Sequence, residues 1–366
     1  MMHDDKVLIA GAGIVGGILG KILKQNKVPF QIIEKEKGYR ANPNRTVALT
    51  KESIVFLNSL DEKMDLNEWS TPIKQMRLYK DDTLNLELSS DDYEKLSSVC
   101  SLDELHRKVF DGIEEHICYG ENIEKIQSLK SKVLVQTDKQ KHEGGFLFGA
   151  DGINSKVRSL LNFKQEEWFY GQKAYVSKVE AKHKNIAHQY FTKSGTIALL
   201  PYDKGKEYFS IIFCTNTTLD PTEQFQDYVK ELNININLTT LDNFEGGFDL
   251  KHQRVSKMNY EKILLCGDAA NTFHPMAGQS LNLGIGDTMN IKENLFDILM
   301  SKNESHHQYN KKRSNKNIQM TWIIQSLHGA FSNPSFIQDL IIGNGMKLLN
   351  QHPKIKEKII DYANRN

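Results

Sequence analysis

Gly11-Ala12-Gly13-Ile14-Val15-Gly16 carries the spacing GxGxxG, and Glu34 follows about twenty residues on. Gly11 allows a tight turn, Gly13 lets the backbone approach a pyrophosphate, and Gly16 lets helix and strand pack closely. The start of the following helix then favours phosphate charge. An acid at Glu34 is placed for ribose hydroxyls, with Lys35 beside it. The plainer reading is a glycine-rich turn that binds nothing. A buried strand before the motif, a helix after it and the acid beyond argue against that. The motif alone does not separate NAD from FAD.

Two further motifs follow. Gly149 to Arg158 reads GADGINSKVR: a strand end, an Asp151-Gly152 turn and Ser155 as a helix N-cap. Taken alone it is an ordinary strand-to-helix connection. Leu264 to Asp287 reads LLCGDAANTFHPMAGQSLNLGIGD. Here a buried strand enters Gly267-Asp268, and a glycine-rich loop feeds a helix. Asp268 is placed to accept from sugar hydroxyls. Backbone N–H groups around Gly278 to Asn282 are placed to face an anionic ring oxygen. His274, beside that loop, is the one candidate base, with a structural role the favoured reading. His183 and His188 are expected to be surface or packing residues. Cys100, Cys118, Cys214 and Cys266 form no CxxC pair, so no metal site is expected.

The elements that must carry these motifs are legible in outline. Lys6 to Ala10 and Phe30 to Glu34 read as buried strands around a helix from Ile18 to Lys24. Thr71 to Leu88 alternates as a hairpin. Leu102 to Ile113 reads as a helix, and Lys132 to Thr137 and Phe146 to Ala150 as strands. Strand-like runs fill Ala174 to Cys214, Lys262 to Cys266 is a buried strand, and the chain after Gly284 looks helical. The fold class is α/β (α+β): a Rossmann-like nucleotide domain interrupted by an antiparallel β-sheet substrate domain, with C-terminal helices. The expected division gives the nucleotide domain 1–72, 96–165 and 257–330. The substrate domain takes a hairpin at 73–95 and a sheet at 166–256, and 331–366 is a helical tail.

The three motifs in this order resemble the flavoprotein aromatic hydroxylases of the p-hydroxybenzoate-hydroxylase-like type. The stretch HPMAGQSLNLGIGD is most similar to the ubiquinone-biosynthesis hydroxylases. Arg45 to Thr50 (RTVALT) resembles their Arg-x-x-Ala-Leu segment. Gln189 to Pro201 is similar to their strand over the substrate cavity, and Tyr309 to Arg313 to the tyrosine–arginine segment of their late helix. The resemblance implies non-covalent FAD, with NAD(P)H as reductant and O2 activated as a flavin hydroperoxide. It places Gly11 to Gly16, Glu34, Lys35, Arg45, Asp151, Gly152, Gly267, Asp268, Pro275, Gly278, Gln279, Ser280, Leu281 and Asn282 at the cofactor. It implies ring hydroxylation of a polyprenylated phenol in ubiquinone biosynthesis. The alternatives are a hydroxylase of soluble aromatics and a non-catalytic flavoprotein scaffold.

The chain departs from the family pattern in three places. Asn271 stands where many relatives have His, Ser280 replaces the last glycine of GQG, and Leu102 falls where relatives often carry Arg. Arg107, one turn later, is a candidate substitute.

Lys plus Arg is 47 and Asp plus Glu is 46 in 366 residues. That balance gives no bulk attraction for nucleic acid. A cytoplasmic protein is expected, with peripheral attachment to the inner membrane as the alternative. The apolar faces of the runs WIIQSLHGAF, FIQDLII and MKLLN would more often pack on their own protein than meet a membrane edge or pathway partner. Oligomeric state is left open.

Overall fold

The computed structural model describes residues 6–89, 96–192, 194–203, 205–274 and 279–332. Its first organising element is a six-stranded sheet. Val7–Ala10 lies inside it, parallel to Phe30–Glu34 on one side and Phe146–Gly149 on the other. Ile263–Leu265 and Ile117–Tyr119 continue the parallel run, and Asn259–Tyr260 closes one edge antiparallel. Every residue of Val7–Ala10 and of Phe146–Gly149 is buried. Such unbroken apolar runs suit parallel strands covered on both faces.

Helix Ile14–Gln25 packs on this sheet through Ile14, Ile18, Leu19, Ile22 and Leu23. It begins four residues ahead of the expected Ile18, inside the glycine motif. The turn needs only Gly11 to Gly13, because Gly16 already lies against the backbone of Gly11. A Cβ on Gly16 would stand 2.0 Å from the Gly11 carbonyl oxygen.

The second sheet has eight strands. In spatial order they are Asn271–Thr272, Glu245–Val255, Gln165–Glu180, Glu207–Thr215, Gly195–Asp203, Ile186–Thr192, Gln75–Lys80 and Thr83–Ser89. All neighbours are antiparallel except Ile186–Thr192 beside Gln75–Lys80. The expected hairpin is therefore the outer edge of this sheet. The chain leaves the parallel sheet after residue 34, contributes the hairpin and returns for 117–149. It leaves again for 165–255 and returns for 259–265. This is the interrupted α/β arrangement that the motif order implied.

Alternation decides the faces of the second sheet. Ile197, Leu199, Ile211 and Phe213 pack beneath Phe225 and Val229 of helix Pro221–Glu231. Ala198, Leu200 and Ile212 turn to the other face and line a cavity.

Several elements differ from expectation. Gln165–Glu180 starts ahead of Ala174, and its pairing with Glu245–Val255 shifts register around the positive-φ Gly171. The helix from Leu102 stops at Phe110, because Gly112 takes φ +73° just beyond it. Ser97–Ser101, Pro221–Glu231 and Glu245–Val255 were not anticipated. Helices Gln279–Glu293, Leu295–Leu299 and Asn303–Ser332 complete the described chain. Among the described residues no helix is long and apolar enough to cross a membrane. FIQDLII and MKLLN lie outside the described residues.

Candidate active site

A cavity of about 510 Å³ joins the two sheets. Its first wall is the glycine motif. Gly11 has φ +100°, and a Cβ there would meet the Ala150 carbonyl oxygen at 2.5 Å. At Gly13 a Cβ would meet nothing within 4 Å, so the backbone is bare where it faces open space. Gly13 caps the helix with no side-chain hydrogen bond, and the first turn carries no acid. Its uncapped N–H groups and helix dipole suit an anion.

Glu34 does not line the cavity. Its Oε2 accepts from the Ala12 N–H at 2.7 Å and its Oε1 from the Glu36 N–H at 2.9 Å. The carboxylate thus ties the glycine turn to the end of its strand. Lys35 is exposed and also outside the lining.

The second wall is the segment from Tyr39 to Ala48, which contributes Tyr39, Arg40, Asn42, Arg45, Thr46, Val47 and Ala48. Distant residues hold it in place. Asn282 is buried; its Nδ2 donates to the Ala48 carbonyl at 2.9 Å. Its Oδ1 accepts from the Thr50 N–H at 2.9 Å and the Ser53 hydroxyl at 2.8 Å. Asn42 and Asn44 donate to Glu245 from the second sheet. The Tyr39 hydroxyl donates to Asp103 at 2.6 Å, and its ring stacks on His106 at 3.8 Å. His106 pairs through Nε2 with the Ala12 carbonyl at 3.0 Å, and burial pushes its pKa down. The neutral ring therefore donates there from Nε2–H.

The third wall comes from the GD motif. Gly267 takes φ +59°, and its N–H donates to Asp287 at 2.8 Å. Arg313, 1% exposed, donates from Nε to the same carboxylate at 2.6 Å and from a terminal nitrogen to the Leu283 carbonyl at 2.6 Å. Burial pushes the Asp287 carboxyl up, and Arg313 and the Gly267 N–H oppose that. The tyrosine–arginine segment of the sequence is thus the strut behind the GD turn. Asp268 lines the cavity and accepts from the Ser280 hydroxyl at 2.6 Å. Burial raises its carboxyl too, against that bond and the positive charge of Arg45.

The departures from the family pattern now have physical readings. Ser280 gives Asp268 a hydroxyl partner that glycine lacks. Asn271 is buried against the Met258 sulfur and does not line the cavity. Arg107 is exposed and paired with Glu104, so it does not substitute at the cavity; Leu102 and His106 do line it.

Other expected residues take structural posts. Asp151 turns its carboxylate to Ser155 Oγ (2.5 Å), Lys156 N–H (2.6 Å) and Val157 N–H (3.1 Å), capping its own helix. Only the neighbouring Ala150 and Gly152 line the cavity. Leu281 lines it, whereas Gln279 does not. Pro275 and Gly278 lie outside the described residues. His274 is fully buried, with Nε2 3.0 Å from Gln172 Oε1 and its ring edge-on to Tyr170. It is a packing residue away from the cavity lining. His183 is buried beside Asp203, and His188 stacks near Tyr79 on the opposite face of the second sheet from Gln189. Among the described residues no cluster of metal-binding side chains occurs.

The last wall belongs to the second sheet: Met76, Gln189, Ala198, Leu200 and Ile212. The resemblance marked Gln189 to Pro201 as one strand over the substrate cavity; the structure divides it between the antiparallel strands Ile186–Thr192 and Gly195–Asp203, which contribute Gln189, Ala198 and Leu200. Sequence reasoning missed Tyr39, Asn42, His106, Met76 and Ile212, which carry no motif.

Residues 4–321 match the family model described as FAD binding domain. The chain belongs to that FAD-binding family. Among curated relatives, the Dictyostelium discoideum ubiquinone biosynthesis monooxygenase COQ6 is 26% identical over 305 residues, covering 66% of this chain and 60% of that protein. The Drosophila melanogaster protein of the same name is 23% identical over 424 residues, covering 97% and 88%. The chain thus spans about three-fifths of the Dictyostelium relative, 60% of its length. In fold, the crystal structure of p-nitrophenol 4-monooxygenase from Pseudomonas putida DLL-E4 superposes with a TM-score of 0.84 at 15% identity, covering 100% of both chains. The cavity fits the family's cofactor: a bare Gly13 and uncapped helix start suit the pyrophosphate, and the half-buried Asp268 suits sugar hydroxyls.

Proposed function

We propose that this FAD-binding chain is a monooxygenase that hydroxylates the aromatic ring of a polyprenylated phenol in ubiquinone biosynthesis. The observation that carries the reading is one continuous cavity. It runs from an anion-ready glycine turn and a half-buried carboxylate to an apolar sheet wall. The names of the curated relatives supply the pathway. Overall, a ring C–H, O2, NAD(P)H and a proton become C–OH, water and NAD(P)+.

Bound FAD would supply the redox chemistry, accepting hydride from NAD(P)H and activating oxygen. The protein supplies placement. Gly11, Gly13 and Gly16 with the first helical turn would hold the pyrophosphate, and Asp268 a sugar hydroxyl. Arg45 adds charge facing Asp268. The backbones of Val47, Ala48 and Ser280 to Asn282 would frame the ring system. Leu102, Met76, Leu200 and Ile212 keep water from the reacting face. No base lines the sheet wall among the described residues, so the substrate enters with its own reactivity.

The test is mass spectrometry of quinone intermediates in cells lacking this protein. A single prenylphenol one oxygen short should accumulate. The intact gene should restore ubiquinone, and Asp268→Ala should not. Unchanged ubiquinone with no precursor would sink the pathway assignment.

A further inference from the structure

The sheet wall of the cavity says more about the substrate than its apolarity. Met76, Gln189, Ala198, Leu200 and Ile212 share one face: Gln189 pairs with Ala198, and Ala198 with Ile212. The titratable groups next to Gln189 and Met76 in sequence and register turn the other way. His188 pairs in register with Arg77, and Tyr190 with Tyr79. Tyr79 stacks on Tyr190 at 4.5 Å, and Arg77 is paired with Glu87. Lys80 and Lys178 share the cavity face by register, yet neither lines the cavity; Lys178 lies 3.4 Å from Asp242. Of the cavity's two arginines, both on the Tyr39–Ala48 wall, Arg45 acts on Asp268 at the cofactor end and the exposed Arg40 lies 3.5 Å from Glu36. Among the described residues, the sheet wall therefore carries one polar side chain and no charge.

That side chain has a defined direction. Gln189 Nε2 donates to the Ile197 carbonyl at 3.3 Å and, more weakly, to the Tyr190 carbonyl at 3.5 Å. Carbonyl oxygens only accept, so the NH2 end must face them. The amide oxygen has no hydrogen-bond partner among the described residues, and Gln189 lines the cavity.

We infer that this site takes an uncharged phenol, with no carboxylate on the ring, and that the Gln189 amide oxygen accepts the phenol O–H and sets the ring's orientation. The inference rests on the hydroxylase reading and narrows its substrate class. A ring carboxylate would lose its water against an apolar wall with no cation to replace it. A phenol O–H meets an acceptor that no protein donor among the described residues occupies. Gln189 is thus a positioning and specificity residue that holds the substrate's proton and does not remove it.

The experiment uses the FAD-loaded full chain and follows the flavin absorbance on titration. The probes are 2-geranylphenol, its methyl ether and 3-geranyl-4-hydroxybenzoate. Wild type should bind the phenol about tenfold tighter than the ether. It should bind the phenol about a hundredfold tighter than the carboxylated ring. Gln189→Met, nearly the same size, should lose the preference for phenol over ether while keeping its FAD. Its KM for the phenol should rise more than its kcat falls. Equal binding of carboxylated and neutral rings by wild type overturns the inference alone. So does a phenol-over-ether preference that survives in Gln189→Met. No response of wild type to any of the three overturns the hydroxylase reading and the inference with it. The ether comparison on wild type keeps the idea falsifiable should the variant fail to fold.

Discussion

The two ends of the cavity are built on opposite principles. At the cofactor end, every contact grips the backbone. Gly16 lies against Gly11, Gly267 donates to Asp287, and Asn282 grips Ala48. Each contact is tight, and the buried Asn282, Asp287 and Arg313 side chains are all hydrogen-bonded. At the substrate end, side chains from separate strands make a smooth wall, and any of several aliphatic residues would fill each place but that of Gln189. Evolution of a new substrate is therefore cheap at one end and nearly forbidden at the other.

Four substitutions would break or sharpen that contrast. Gly16→Ala is the harshest, because its Cβ would overlap the Gly11 carbonyl. No folded flavoprotein should be recovered, as judged by soluble yield and flavin absorbance; a yellow, stable variant would refute the close-packing account. Arg313→Met comes next. It leaves Asp287 buried and uncompensated at a cost of about 3–5 kcal/mol, read by denaturant melting. Adding Asp287→Asn should recover part of that loss, since the stranded charge is then gone. At the substrate end, Leu200→Ala should cost about 2 kcal/mol, because the side chain already borders open space. FAD content should hold while KM for a prenylphenol moves. A fall in FAD content would show that the two ends are not separable. The smallest effect is expected for His252→Phe. Both ring nitrogens of His252 are buried without a hydrogen-bond partner, and the ring stacks on Trp168 at 3.8 Å. A phenyl ring keeps the stack and removes the unpaired nitrogens, so the change in stability should be under about 1 kcal/mol and of either sign.

The same contrast explains what the sequence disclosed. Close backbone approach leaves glycines at fixed spacing, so the GxGxxG and GD turns were legible, as was the parallel core in runs such as VLIA. The roles of acids were less so. Glu34 and Asp151 stand where the motifs put them, yet their carboxylates serve backbone N–H groups of the chain itself. A motif records position, not what a side chain finally accepts from. The sheet wall left no motif because aliphatic residues at period two are common to any half-buried strand. Glu245–Val255 was hidden by Gly246 and Gly247, which break its alternation. Helix Pro221–Glu231 did carry a signal: Asp220 caps it and proline follows at its first position. His106 was beyond reach, because its place depends on stacking against Tyr39, a contact set by tertiary packing.

Asn282 has a consequence for how the molecule is made. Its bonds to the Thr50 N–H and the Ala48 carbonyl close loops of 232 and 234 residues. A nascent chain can form its first strand, glycine turn and helix early, but the wall at Ala48 stays ungripped until Asn282 emerges. Contacts of such long range are entropically slow to close. The wall at Ala48 is thus completed only after Asn282 has been made, and a cofactor pocket that includes that wall cannot be finished before then.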